Sequence, residues 1–249
     1  MGAGPLENQQ DPGGTGVIHI RNMTPHDIDR GLELCRLANF NQVREDWQYF
    51  LNHASVFVAH NDTQVLGTCA VLDPQGPVAW IAMMLVDPAA RRQSIGTRLF
   101  EHTLAHTQAP SIGLDATALG KPLYEKYGFI ETAQVLRMKK EAPNNPSSGR
   151  PAPWRAGHAS NQIGPLIASS LDHPQSQVLG ALSTNLERSW IIDVPTAAPP
   201  EWRGWLATQG FIPQRPLSRM YRGQPQPLPA HLLATAGPEY GHHARSDAA

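Results

Sequence analysis

Two short stretches of this chain combine residue types and spacings that suit chemistry. The first is Arg91-Arg92-Gln93-Ser94-Ile95-Gly96-Thr97, which follows Val86-Asp87-Pro88 and runs into a helical pattern carried by Ile95, Leu99, Phe100 and Leu104. The first-turn amides of a helix have no internal partner and point out of its end. The aligned peptide dipoles favour a negative group there by roughly 0.3–1 kcal/mol. Arg91 and Arg92 add cationic reach, so the stretch reads as a phosphate site, with a basic turn before an ordinary helix as the simpler alternative. The second stretch, Leu119 to Phe129, is a short helical pattern ended by Gly128, a good left-handed cap. Leu119, Leu123 and Tyr127 recur at i, i+4 and i+8 and are expected to face the core, while Tyr124 falls beside that stripe.

Other elements must hold these two stretches in place. The apolar run Ala79 to Val86 is too long and unbroken for a half-exposed strand and reads as one buried on both faces. Asp87-Pro88 closes it, because proline cannot continue a central ladder. Ser111 to Leu114 reads as a second buried strand. Upstream, Val17 to Arg21 alternates as a first strand, and Thr24 caps a helix that starts at Pro25 and continues through Ile28, Leu32 and Cys35. A second helix, about Val43 to Leu51, carries Trp47 and Phe50. Ser55 to His60 and Gln64 to Leu72 form two strands that turn at Asn61-Asp62.

Val86-Asp87-Pro88, Arg91-x-x-Ser94-x-Gly96 and Tyr124-Glu-Lys-Tyr-Gly-Phe129, in that order and spacing, resemble the signatures of the GNAT acetyltransferases. The resemblance covers about residues 17–141. It implies an α/β (α+β) acyl-CoA N-acyltransferase fold, a mixed central sheet with helices on both faces. It also implies acetyl-CoA as acyl donor, with the pyrophosphate on Arg91, Arg92, Gln93, Ser94, Ile95, Gly96 and Thr97. The pantetheine arm would lie along Met84, Leu85 and Val86, with Thr117 nearby, and Tyr124 would be the general acid for the leaving thiolate. Ser94 departs from the family pattern, which has glycine there. If that position needs positive φ, serine costs on the order of 1 kcal/mol; otherwise its hydroxyl adds a phosphate contact.

The phrases Asn41-Gln42-x-x-x-Asp46-Trp47, Trp80-Ile81 and Leu114-Asp115-Ala116-Thr117 resemble a two-domain group of that family, in which a degenerate acetyltransferase-like domain follows the first. The chain also repeats itself internally. Ile163-Gly-Pro-Leu-Ile-Ala echoes the long strand, and Gln177 to Leu186 the helix after it. Trp190-Ile-Ile-Asp193 echoes Ile112-Gly-Leu-Asp115, the Gly210-Phe211 turn echoes Gly128-Phe129, and Leu217-Ser-Arg-Met220 echoes Leu136-Arg-Met138. The second copy has Leu206 where the first has Tyr124. Its loop at Asp172-His-Pro-Gln-Ser-Gln has neither arginine nor glycine, and no early strands are expected before it. The expected organisation is a flexible arm at 1–16, the acetyltransferase domain at 17–141, a Pro/Gly/Ser linker at 142–159, the smaller degenerate half-repeat at 160–223 and a disordered, proline-rich tail at 224–249.

Among its 249 residues, 41% are hydrophobic, which suits a globular core, and the net charge of -1 argues against a nucleic-acid partner. No run approaches a membrane span, and the expected location is the cytoplasm. Cys35 and Cys69 form either a disulfide or two buried free thiols, the latter in keeping with a reducing compartment. No metal is expected. The acceptor is expected to be a small-molecule amine, with Asn41, Gln42, Asp46 and Trp47 as candidate contacts on the helix pair that borders the acceptor cleft in this fold. Deprotonating an amine of pKa about 10 at neutral pH costs roughly 4 kcal/mol. Trp80 to Val86 offers no carboxylate for this, so Glu45, Asp46, His53 and Asp115 are the candidate bases, with a water chain or a low-pKa acceptor as alternatives. The function read from the sequence is N-acetyl transfer in a ternary complex; a catalytically inactive acyl-CoA-binding scaffold is the alternative.

Overall fold

In a computed structural model of the chain, residues 17–73, 76–142, 154–184 and 188–237 are described. The expected arm at 1–16, most of the linker, Leu186 and the end of the tail lie outside them. The first strand, β1 (His19–Asn22), is followed by a 3-10 turn at Pro25–Asp27 and then by α1 (Ile28–Leu37). Asp27 stabilises that turn by accepting from Thr24 N at 2.8 Å and holding Arg21. That contact with Arg21 holds its carboxyl down to about 2. Next come α2 (Arg44–His53), β2 (Ser55–His60) and β3 (Val65–Leu72), with the turn at Asn61 held by its Oδ1, which accepts from Thr63 N and Gln64 N. β4 (Val78–Val86), α3 (Ile95–Leu104), β5 (Ser111–Ala116), α4 (Lys121–Lys126) and β6 (Ile130–Lys140) complete the first half. β4 is buried on both faces, as its unbroken apolar run requires: Trp80 and Ala82 pack with α1 and α2, Ala79 and Ile81 with α3 and α4.

The second half begins with β7 (Trp154–Arg155), β8 (Ser160–Ile163) and β9 (Leu166–Ile167), followed by α5 (Asp172–Thr184) and β10 (Ser189–Pro195). It ends with α6 (Pro200–Thr208), β11 (Ile212–Arg222) and β12 (Leu232–Ala234). Among the described residues, ten strands form one mixed sheet in the order β1-β2-β3-β4-β5-β11-β6-β10-β8-β7. Helices cover both faces, so the expected fold class is the observed one.

The middle of that order shows how the halves join. β11 lies between β5 and β6, and β6 lies between β11 and β10, so each half lends its last strand to the other. Two buried ion pairs fix the exchange. Arg219 on β11 donates to both oxygens of Asp115 on β5, at 2.8 and 2.7 Å. Arg137 on β6 donates to both oxygens of Asp193 on β10, each at 2.8 Å.

Four local expectations change. The stripe on α4 does not face the core: Leu119 is 73% exposed and Tyr124 is the buried residue at 7%. The helix is six residues long and starts after Leu119, so the turn of the helix, and not the wider period, decides which side is covered. The expected loop at Asp172–Gln177 is already helical. Strands do precede the repeat, since β7 pairs with β8 at the sheet edge. The segment around Leu232, expected within the disordered tail, forms β12 against β9 and is buried, because its three apolar residues outweigh the proline-rich context. Both cysteines are buried thiols, with no disulfide between them. Among the described residues no helix is long and apolar enough to cross a membrane.

Candidate active site

β4 and β5 are parallel neighbours over only three pairs, Val78↔Ser111 to Trp80↔Gly113, although both strands continue well past them. Two features drive them apart. Met83 takes φ 52 and places an extra residue in β4, next to a register shift on β3 between Thr68 and Ala70. Thr68 Oγ1 donates to Met83 O at 2.7 Å and holds that bulge. On β5, Gly113 lies under the Trp80 ring so closely that a Cβ there would sit 2.4 Å from it. A side chain at 113 would therefore displace the tryptophan from the point where the strands part.

A cavity of about 650 Å³ occupies the resulting gap. At one end it is lined by Met84, Leu85 and Val86 and by the loop into α3, including Arg91, Arg92 and Ser94 to Thr97. The first bond of α3 runs from Arg98 N to Ser94 O at 3.0 Å, so the amides of Ile95, Gly96 and Thr97 point outwards. Ser94 holds φ 58, the left-handed conformation, so serine here carries the backbone cost that glycine would avoid. A Cβ on Gly96 would lie 3.3 Å from Met84 Cε, and its absence lets the helix end sit close to β4. Asp87 Oδ1 accepts from Ala89 N at 2.8 Å and its other oxygen pairs with Arg30, so it caps the turn. Gln93 is exposed and does not line the cavity.

Tyr124 lines the middle of the wall, its ring 5.1 Å from Phe100. Burial pushes its phenol above the ordinary tyrosine value, with Cys69 adding to the shift. The Cys69 thiol is itself pushed up to about 12, mainly by burial. Thr117 also lines the cavity, and its carbonyl accepts from Gly120 N and Lys121 N at the start of α4.

The far end is closed by Phe40 and Gln42 from the α1–α2 connection, Asp115 and Arg137, and Arg215 and Leu217 from β11. Of the four expected acceptor contacts only Gln42 is on the wall. Asn41 docks the second half: its Nδ2 donates to Ser160 O at 2.9 Å, and its Oδ1 accepts from Ala159 N and Ser160 N at 3.0 Å. Asp46 is fully buried and accepts from Val43 N at the start of α2, and Trp47 is core, its ring over Gly31. Among the candidate bases only Asp115 lines the cavity, and both its oxygens are engaged by Arg219. Phe40, Arg137, Arg215 and Leu217 went unread as site residues. The echo of Leu136-Arg-Met138 in Leu217-Ser-Arg-Met220 marked two strands, but not that the second would wall the first copy's cavity.

Residues 52–131 match the acetyltransferase (GNAT) domain family. A putative acetyltransferase from Pyrococcus horikoshii is similar in structure at 20% identity, with a TM-score of 0.69, over 95% of this chain and 99% of that one. A GCN5-related N-acetyltransferase from Sphaerobacter thermophilus matches with a TM-score of 0.60 at 12% identity, over 84% of this chain and 98% of that one. These likenesses show that the fold runs through both halves. No curated protein matches the sequence. The chain therefore carries a GNAT acetyltransferase domain. It is an enzyme of the acyltransferase class.

Proposed function

We propose that the protein is an N-acetyltransferase that moves the acetyl group of acetyl-CoA to the amine of a small-molecule or amino-acid-like acceptor, directly, in a ternary complex. Residues 17–141 supply the donor site and 160–223 act as a degenerate copy that completes the acceptor end. The observation that carries this reading is one continuous cavity joining the outward amides of α3, Tyr124 and the polar wall at Gln42 and Arg215. It favours a working enzyme over a scaffold, which needs no open path from loop to tyrosine.

The residues at the donor end suit a coenzyme A pyrophosphate: three outward amides, the Arg91 and Arg92 side chains, and a glycine at 96 that leaves the helix end uncovered. Bound acetyl-CoA supplies an activated acyl carbon and a thiolate that leaves. The backbone of Met84 and Val86, released from β5, can pair with an extended arm as an added strand does. Tyr124, its pKa raised by burial, stays protonated at neutral pH and is able to hand its proton to the leaving sulfur. No residue is assigned as base, since Asp115 is held by Arg219. Solvent reaching the cavity carries the amine's proton away. Calorimetry with acetyl-CoA, followed by a screen of amines that reads released thiol, tests the proposal. Binding and amine-dependent thiol release are expected; no binding would end it.

A further inference from the structure

The next inference rests on the acyltransferase reading of Tyr124 and concerns what aims its phenol. Gly120 precedes α4 at φ -83 and ψ -29, an ordinary right-handed conformation open to any residue. It is held there, since its N donates to Thr117 O and its carbonyl accepts from Leu123 N, each at 3.0 Å. The backbone therefore does not ask for glycine. A side chain at such a position usually stabilises a protein by restricting the unfolded chain. What stands where that side chain would go is the tyrosine. A Cβ on Gly120 would lie 3.0 Å from Tyr124 Cε2, 3.3 Å from its phenol oxygen and 3.4 Å from Cζ.

The ring has little other room. Phe100 and Phe129, both buried, have their ring centres 5.1 and 6.3 Å from it. The open space beside it is the cavity, which Tyr124 and Gly120 line together. We propose that Gly120 is a positioning residue for the acid: its bare Cα lets the phenol lie back against the start of α4, and so sets where the oxygen stands relative to the cavity. A side chain at 120 would press on the oxygen-bearing end of the ring and turn the phenol out of line. A general acid works only within hydrogen-bond reach of its target, and misplacement by about 1 Å costs on the order of 10²-fold. A methyl at 120 requires the ring to give by a few tenths of an ångström, about threefold on that scale.

Thiol release from saturating acetyl-CoA, with the best amine of the screen, tests this. Gly120→Ala should lower kcat about threefold and Gly120→Val about tenfold or more, with KM for acetyl-CoA unchanged. In a Tyr124→Phe background neither should lower kcat further, because the proton they misdirect is already gone. A residue that merely shaped the wall would raise KM alone, or lower kcat equally in both backgrounds. Either result overturns the proposal, as does an unchanged kcat in Gly120→Val. Where valine prevents folding, alanine decides. A spectrophotometric titration of the phenols, with Tyr124→Phe as the blank, needs no acceptor. Displacing the ring from its packed place in Gly120→Val should bring the raised Tyr124 phenol down towards the ordinary value of about 10. A phenol that titrates as in the unaltered chain overturns the proposal, whether or not an amine is turned over. Loss of kcat in Tyr124→Phe with none in the Gly120 variants removes this inference alone; no loss in any of them removes the acid reading with it.

Discussion

The two strand–helix–strand units, β5–α4–β6 and β10–α6–β11, are built alike and end differently. Both helices stop at a glycine in the left-handed region, Gly128 at φ 80 and Gly210 at φ 86. In each, the next residue closes the turn: Phe129 N donates to Tyr124 O at 3.2 Å and Phe211 N to Leu206 O at 3.1 Å. Each central strand carries an aspartate, Asp115 or Asp193, held by the arginine of the other unit's last strand. The difference is what fills the gap beside that strand. In the first unit β4 and β5 part after Trp80 and leave the cavity open. In the second, β8 and β10 part after Ile163, and the chain's own β12 enters: it pairs with β9, and Thr235 N donates to Asp193 O at 2.9 Å. Trp202 Nε1 donates to Leu233 O at 3.0 Å, and Leu206 packs there with no hydroxyl to offer. A donor groove needs a strand edge that nothing in the chain completes, and the second unit has completed its own.

The largest test removes the second unit. A chain ending at Glu141 lacks β11, so β5 and β6 lose the strand that lies between them. Thermal melts should show no cooperative transition, and 160–223 alone should aggregate, being a fragment of marginal size with open strand edges. A cooperative melt from either piece would mean that the units are independent domains. Next in size are the exchanged ion pairs. Arg219→Met and Arg137→Met should each destabilise by about 3–5 kcal/mol in denaturant titrations, because each leaves a buried carboxylate without its bidentate counter-charge. Unequal losses would show that the two joints are not equivalent.

Tyr124→Phe should lower kcat about tenfold or more with donor affinity kept, since only the leaving-group proton is lost. Leu206→Tyr in the second unit should create no activity. The phenol's pKa is raised, so its proton is retained as pH rises, and kcat should show no alkaline fall from Tyr124 up to the ordinary tyrosine value of about 10. A limb well below that would assign the acid elsewhere. The smallest effect belongs to Ser94→Gly, which should stabilise by about 1 kcal/mol by relieving its left-handed backbone. An unchanged midpoint in urea would contradict that.

What could be read from the sequence divides along the same line as the two units. Strands β2 to β5 and helix α3 follow from local apolar runs and from Asp87-Pro88 and Asn61-Asp62, which act within a few residues. The donor loop was legible for that reason. The strand exchange was not, because Ser218 opposite Ala116 is a pairing about a hundred residues apart that no local pattern encodes. The acceptor end suffered most. Polar residues near it were visible, but Asn41 and Asp46 are spent on docking and capping, while Arg215 reaches the site only through the exchange. The proline-rich composition after Gly223 hid Leu232 and Leu233, whose burial depends on the empty place beside β10.

The contrast between an open and a filled gap is tested most directly by calorimetric titration of the full chain with acetyl-CoA. The open gap of the first unit predicts one site per chain, clearly weakened in an Arg91→Ala, Arg92→Ala double variant. Two sites per chain, or an affinity indifferent to those arginines, would contradict it.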